Sequence, residues 1–261
     1  MLSKEMTANH FEMNTSKYTI SKVYADKEDL KTLYEMVNGN KNEQLLDIGT
    51  GSVDVANTLA PLFEKVTAFI PTTKMLDTGK RFTNSSGYQN ITFIKGEVSM
   101  LPFTSNKFDA VTSRMAPHHF RHIEKLVSET ARVLKEGGMF YLIDSVVSEL
   151  NEYDAFYNYI EKKRDPSHYR AYKKTEWISL LERNGFQIEF LLTFKKEFLF
   201  DEWCDRMNLT LKEKRDLNRL MIVAPDHLIK FFSIVIESSE VQSFQGETMF
   251  LAVRKEREIL V

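Results

Sequence analysis

Residues 45–51, LLDIGTG, constrain this chain more than any other stretch. An apolar run ends in an acid and a turn with two glycines, and a helix-compatible segment from Val53 to Leu62 comes next. Glycine lets backbone turn tightly and approach a ligand where a Cβ would clash, and the helix N-terminus behind it points at that ligand. The pattern is the strand–turn–helix that opens a nucleotide-binding α/β domain.

Strands and helices continue to alternate along the chain. KVTAFI (65–70) reads as a second strand, with a helix expected from about Pro71 to Phe82, where proline suits a first helical turn. ITFIKG (91–96) and FDAVTS (108–113) read as the third and fourth strands. A helix is expected from about Ile123 to Leu134, ended by Gly137–Gly138, and MFYLIDSV (139–146) is a fifth strand. Upstream, Asp26 can cap a helix whose apolar positions Leu30, Leu33, Tyr34 and Val37 share one face. Short strands alternating with helices imply parallel pairing through right-handed crossovers, and so a three-layer α/β sandwich. Ligands in such sheets lie at the carboxyl ends of the strands, which here means just after positions 48, 70, 96, 113 and 145.

Beyond residue 148 the alternation breaks. Residues 149–173 are aromatic and charged and suit a helix and loop lying over the sheet. A helix from Thr175 and a sixth strand (186–194) come after them. Residues 200–240 form a second insert, with a capping box from Thr210 to Glu213 that starts a helix through about Ile222. FFSIVIE (231–237) leans to strand on its β-branched and aromatic content, and TMFLAV (248–253) reads as a closing strand. At 261 residues, with no repeats and no Gly/Ser linker, the chain is expected to be one domain over 1–261 with two lid inserts.

Four motifs in order, LLDIGTG, FIKGEVSMLPF (93–103), FDAVTSRMAPHHF (108–120) and ETARVLKEGG (129–138), resemble class I S-adenosylmethionine-dependent methyltransferases. The nearest likeness is to the small-molecule group around the ubiquinone/menaquinone C-methyltransferases. KKRDPSHYRAYKKTEW (162–177) resembles a narrower bacterial branch of that group. The resemblance implies a Rossmann-like methyltransferase fold, with a mostly parallel seven-stranded sheet, and S-adenosyl-L-methionine as cofactor.

On that resemblance Asp47, Gly49, Thr50 and Gly51 would hold the amino-acid end of the cofactor. Glu97, with Val98 beside it, would accept from the adenine amino group. Met75, Arg114 and Met115 would line the same pocket, and Tyr18 would close over it. Two residues depart from the family pattern. Ile70 stands where an acid would bind both ribose hydroxyls, and Val53 replaces the third glycine of the loop. Losing hydrogen bonds to a charged acceptor costs about 1.5–3 kcal/mol, roughly 10- to 150-fold in affinity, so weakened cofactor binding is expected. A nicotinamide site is disfavoured for the same reason, because it too needs a ribose reader at position 70.

Methyl transfer from a sulfonium is an in-line displacement, in which positioning does much of the work. A general base is needed only where the acceptor must lose a proton, and histidine is poised for that. His118, His119 and His168 are the catalytic candidates; the same histidines would equally serve to cap or pack the helix start. Arg164 and Arg170 could bind an anionic group on the acceptor. His118 and His122 are four apart, a spacing that can bind metal, but no HExxH or neighbouring cysteine accompanies them, so no metal site is expected. Net charge is −2, and SRMAPHH stands after the fourth strand in place of the [DNS]PP[YF] sequence of many nucleic-acid amino methyltransferases. The expected partner is a small-molecule acceptor, not nucleic acid or membrane. With one cysteine, Cys204, and no apolar run of about 20 residues, a cytoplasmic monomer or homodimer is expected. The alternative is a protein that kept this fold with a degraded or repurposed cofactor site.

Overall fold

In the computed structural model, residues 28–51, 53–72, 77, 79–80 and 87–257 are described. Strands β1 (Gln44–Ile48), β2 (Lys65–Ile70), β3 (Ile91–Lys95), β4 (Phe108–Arg114) and β5 (Leu134–Val147) are parallel neighbours in the order β3-β2-β1-β4-β5. Two long strands complete the path, β7 (Phe186–Leu199) and β9 (Glu240–Lys255), with β9 antiparallel between β5 and β7. Two short strands join from the side: β6 (Tyr172–Lys173) pairs with β5, and β8 (Val235–Glu237) with β9. The expected seven-stranded path is therefore enlarged to a nine-stranded sheet.

Side chains alternate across a strand, so Leu45 and Leu46 face opposite layers. Leu45 joins Ala110, Tyr141 and Ile143 beneath α1 (Glu28–Met36) and α2 (Asp54–Leu59). Leu46 joins Val111, Phe140 and Leu142 beneath α3 (Ile123–Val133) and α5 (Lys174–Glu182), where Trp177 and Leu181 are buried. A third cluster lies beyond the sheet proper. It is built from α4 (Asn151–Arg164), α6 (Phe200–Asp205), α7 (Leu211–Ile222) and α8 (Asp226–Phe231), closed on Phe198 and Phe244 at the far ends of β7 and β9. Tyr153 stacks on Phe231 with ring centroids 4.1 Å apart, and Trp203 meets Phe244 edge-on at 4.8 Å. The aromatic run 153–157 thus builds this helical layer. Among the described residues no helix is long and apolar enough to cross a membrane.

Several boundaries differ from the sequence reading. FFSIVIE is a strand only at 235–237, because α8 continues to Phe231 and Phe232 and Ile234 are drawn into the third cluster. Ser238 and Ser239, both at positive φ, make the two-residue turn from β8 to β9. β7 runs five residues beyond the expected Phe194, and β9 begins eight residues before Thr248, since each pairs with the other along its length. Glu136–Gly138 lie within β5 rather than ending a helix. A Cβ at Gly138 would meet the Asp109 carbonyl oxygen at 2.8 Å, so only glycine fits where the β4–β5 register shifts. Tyr34 is exposed instead of facing the core with Leu30 and Leu33. The Asp26 cap and much of the helix expected after Pro71 lie outside the described residues.

Candidate active site

The β1 loop, the ends of β2 and β3 and the loop after β4 share one edge of the sheet, because these four strands are parallel neighbours. Gly49 is at φ +77°, and a Cβ there would lie 2.5 Å from that of Ala116, so glycine brings the β1 loop against the β4 loop. The Gly49 and Thr50 amides donate to the Phe69 carbonyl. Asp47 is buried and accepts from the hydroxyls of Thr50 and Thr112, the latter at 2.8 Å. Burial pushes its carboxyl up to about 6, against the opposing pull of those two hydroxyls. Gly51 is half-buried next to them.

The two departures have distinct structural consequences. Val53 sits at the N-terminus of α2 at φ +64°, a left-handed conformation that penalises a β-branched residue, and it is buried against Gly79. The valine keeps the backbone of a glycine and fills the space with its side chain. Ile70 is fully buried, and its carbonyl accepts from the Gly96 amide. Glu97 is exposed just beyond β3, where its carboxylate accepts from Ser99 at 3.3 Å; Val98 packs on the core. Met75 and Tyr18 lie outside the described residues.

Arg114, expected at the cofactor, lies close enough to the β1 loop for its charge to act on Asp47, and its guanidinium is bonded to Asp29. Nε and Nη2 donate to the two carboxylate oxygens of Asp29 at 2.7 and 3.0 Å, a buried fork that ties α1 to the end of β4. Met115 next to it adopts φ +50°, a strained conformation for a side chain, and lines a small cavity under the helical layer.

That narrow cavity, about 30 Å³, is where the histidines converge. His118 Nδ1 is 2.5 Å from Asp144 Oδ1, and the His118 amide donates to Asp144 Oδ2 at 2.8 Å. The His119 and His168 rings lie 4.0 and 5.5 Å from that of His118. The segment carrying His168 is bonded to the same loop: the Tyr169 and Arg170 amides both donate to the His118 carbonyl. Burial alone would lower the His118 pKa, but the carboxylates of Asp144, Glu161 and Asp165 together outweigh it and raise it. His119, buried beside His118, is lowered to about 3; burial and the two neighbouring imidazoles lower His168 to about 2. His168 Nε2 is 2.9 Å from Asn158 Oδ1, which fixes the proton on that nitrogen.

The arginines expected to hold an anion are engaged within the protein. Arg164 pairs with Glu161 at 2.6 Å and lies over the Trp203 ring; Arg170 is shared between Asp154 and Glu176. His122 pairs with exposed Glu124, away from the cluster. Sequence reasoning missed Asp144 and Glu161. A lone acid inside the apolar run of β5 was the available signal for Asp144; Glu161 offered none, being one charge among several on α4.

Comparison with known proteins agrees with this architecture. A family model described as a methyltransferase domain matches residues 46–142, from β1 into β5. A crystal structure of a Bacillus halodurans protein, provisionally described as a methyltransferase, is 41% identical, with a TM-score of 0.86 over 88% of this chain and 99% of that one. YcgJ of Bacillus subtilis, described as an uncharacterized methyltransferase, is 29% identical over 88% of this chain and 90% of its own length. The structure of YcgJ superposes with a TM-score of 0.84. A ubiquinone/menaquinone biosynthesis C-methyltransferase of Zymomonas mobilis is 32% identical over 42% of this chain and 45% of that protein. With a 41%-identical relative matched over almost its whole length and the glycine loop, strand order and family model in agreement, this chain belongs to the methyltransferase family.

Proposed function

We propose that the protein transfers a methyl group from S-adenosylmethionine to a small-molecule acceptor that reaches His118 beneath the helical layer formed by the 149–173 and 200–240 segments. The observation that carries this reading is the buried His118–Asp144 pair, at the same sheet edge as the Asp47–Gly51 loop. The residues fit the donor in part. The β1 loop suits its amino-acid end and the Glu97 carboxylate suits its adenine amino group, whereas Ile70 offers nothing to the ribose hydroxyls. When bound, the donor supplies an electrophilic methyl; the chain's own residues orient the acceptor and manage its proton.

The three histidines divide by environment. Asp144 accepts from Nδ1–H of His118, which leaves Nε2 of that ring to take a proton from the acceptor once the pH exceeds its raised pKa. His119 and His168 are held neutral and act as walls. Small-acceptor chemistry is supported by the near-neutral chain, and the enclosure of the histidines by α4 and the 165–170 loop disfavours a macromolecular substrate.

Ile70 and Val53 favour a second reading, a methyltransferase fold whose cofactor site has been given over to binding or other chemistry. Calorimetry with S-adenosylmethionine and S-adenosylhomocysteine separates the two. Micromolar binding is expected for the first; an absence of heat up to millimolar ligand would reject it.

A further inference from the structure

The histidine cavity is also lined by Arg206, the residue that ends α6. Arg206 is buried, at 8% exposure, and is tied into the protein. Its amide donates to the Glu202 carbonyl, and its guanidinium lies 5.7 Å from the centre of the Phe198 ring. One edge of that guanidinium is in a different state. Nε and Nη2 are shielded from solvent and make no hydrogen bond among the described residues. A buried donor without an acceptor is destabilising, so the closed helical layer leaves a demand at this edge that neither the protein nor bulk water meets.

A second buried arginine shows what satisfies such an edge. At Arg114, Nε and Nη2 donate to the two carboxylate oxygens of Asp29, one each. Two N–H groups on one side of a guanidinium match two oxygens held in one plane, as in a carboxylate. The carboxylates that share the cavity with Arg206 accept from other donors: Glu161 from Arg164 and Trp203, and Asp165 from Ser167. Selection at this edge needs no surplus of charge, since Arg164, Lys196, Glu161 and Asp165 all stand around the same space. It needs a planar pair of oxygens. The cavity is narrow, about 30 Å³, so what enters is a terminal group and not a whole molecule. Phe198, Trp203 and Met207 supply apolar contact around it, and His118 lines the same space.

We infer that the methyl acceptor is a carboxylic acid whose carboxylate is bound by Nε and Nη2 of Arg206, an inference that rests on the acceptor site proposed above at His118. The test uses acetate as probe, acetamide as its uncharged isostere and inorganic phosphate as a tetrahedral anion, on protein labelled with [methyl-¹³C]methionine. Met115 and Met207 line the cavity; Met36 and Met139, on the α1–α2 side of the sheet, serve as controls. Acetate is expected to shift the Met207 resonance saturably in the millimolar range, with acetamide and phosphate each at least about fivefold weaker. Arg206→Lys, which keeps the charge and loses the fork, should weaken acetate by about threefold or more, and Arg206→Gln by about tenfold. The inference is overturned if no saturable shift occurs up to ~100 mM acetate, if acetamide or phosphate binds as tightly, or if Arg206→Lys binds acetate like the native chain. Should the variants fail to fold, the three probes on the native chain decide the matter. Calorimetry with S-adenosylhomocysteine on the same protein reads the donor site separately. Its binding without acetate binding rejects this inference and leaves the methyl-transfer reading standing; acetate binding without it rejects that reading and keeps Arg206 as a carboxylate site.

Discussion

Asp144 holds His118 at two points: one carboxylate oxygen lies 2.5 Å from the ring Nδ1 and the other accepts the His118 backbone amide at 2.8 Å. The pair joins the ends of β4 and β5, so ring orientation is set by the sheet and not by a loop alone. Rigid placement of this kind is what a general base requires.

Asp144→Asn should therefore cut kcat by about 10²–10⁴-fold while leaving the fold intact, since the amide fills the same space but favours the wrong ring tautomer. The charge of Asp144 raises the His118 pKa, so the ascending limb of the pH–rate profile should also move to lower pH in the variant. A methyltransferase assay over a pH series, with circular dichroism as the fold control, measures both. Unchanged kcat would remove His118 from the chemistry.

His119 and His168 predict acid sensitivity. Their folded pKa values, lowered to about 3 and about 2, lie below the unfolded value near 6.5. As pH falls below 6.5 the unfolded chain binds protons that the folded protein refuses, so stability falls; it is regained as pH rises through about 6.5. His118 acts in the opposite sense, since its raised pKa favours the folded state at low pH. Urea unfolding between about pH 7.5 and 4.5 should show a loss that becomes shallower in His119→Gln, by up to about 1.4 kcal/mol per pH unit. An identical slope in the variant would mean that His119 is not held neutral.

Ile70→Asp tests the ribose account. The carboxylate would be buried without a partner in the free protein, lowering its melting temperature, and should recover that loss when S-adenosylhomocysteine binds. Affinity should tighten by roughly 10- to 150-fold. If calorimetry finds the same affinity as for the native chain, the alignment of β2 with the family is wrong.

At Val53 two effects oppose each other. Deleting a buried aliphatic side chain ordinarily costs about 2–5 kcal/mol, whereas relief of a left-handed β-branched residue returns about 1–3 kcal/mol. Val53→Gly should consequently lose under about 2 kcal/mol in denaturant unfolding, much less than a matched truncation at Val55, which is buried within α2. An equal loss at the two positions would show that Val53 carries no backbone strain.

Much of the molecule is legible in the chain alone: the strand–turn–helix at 45–62, the alternation that makes a parallel sheet, the capping box at Thr210–Glu213 and the three histidines as a group. These are local signals, carried by periodicity, glycine geometry and spacing within a few residues. How the charged and titratable residues are used depends instead on long-range packing. Arg114 turned to Asp29, 85 residues away, and Asp144 reached His118 across 26 residues. Arg170 was taken up by Asp154 and Glu176, and the ends of β7 and β9 were prolonged by pairing with one another. An ion pair or a hydrogen bond depends on where two strands come to lie side by side, and that order is set only when the whole sheet closes its hydrophobic faces.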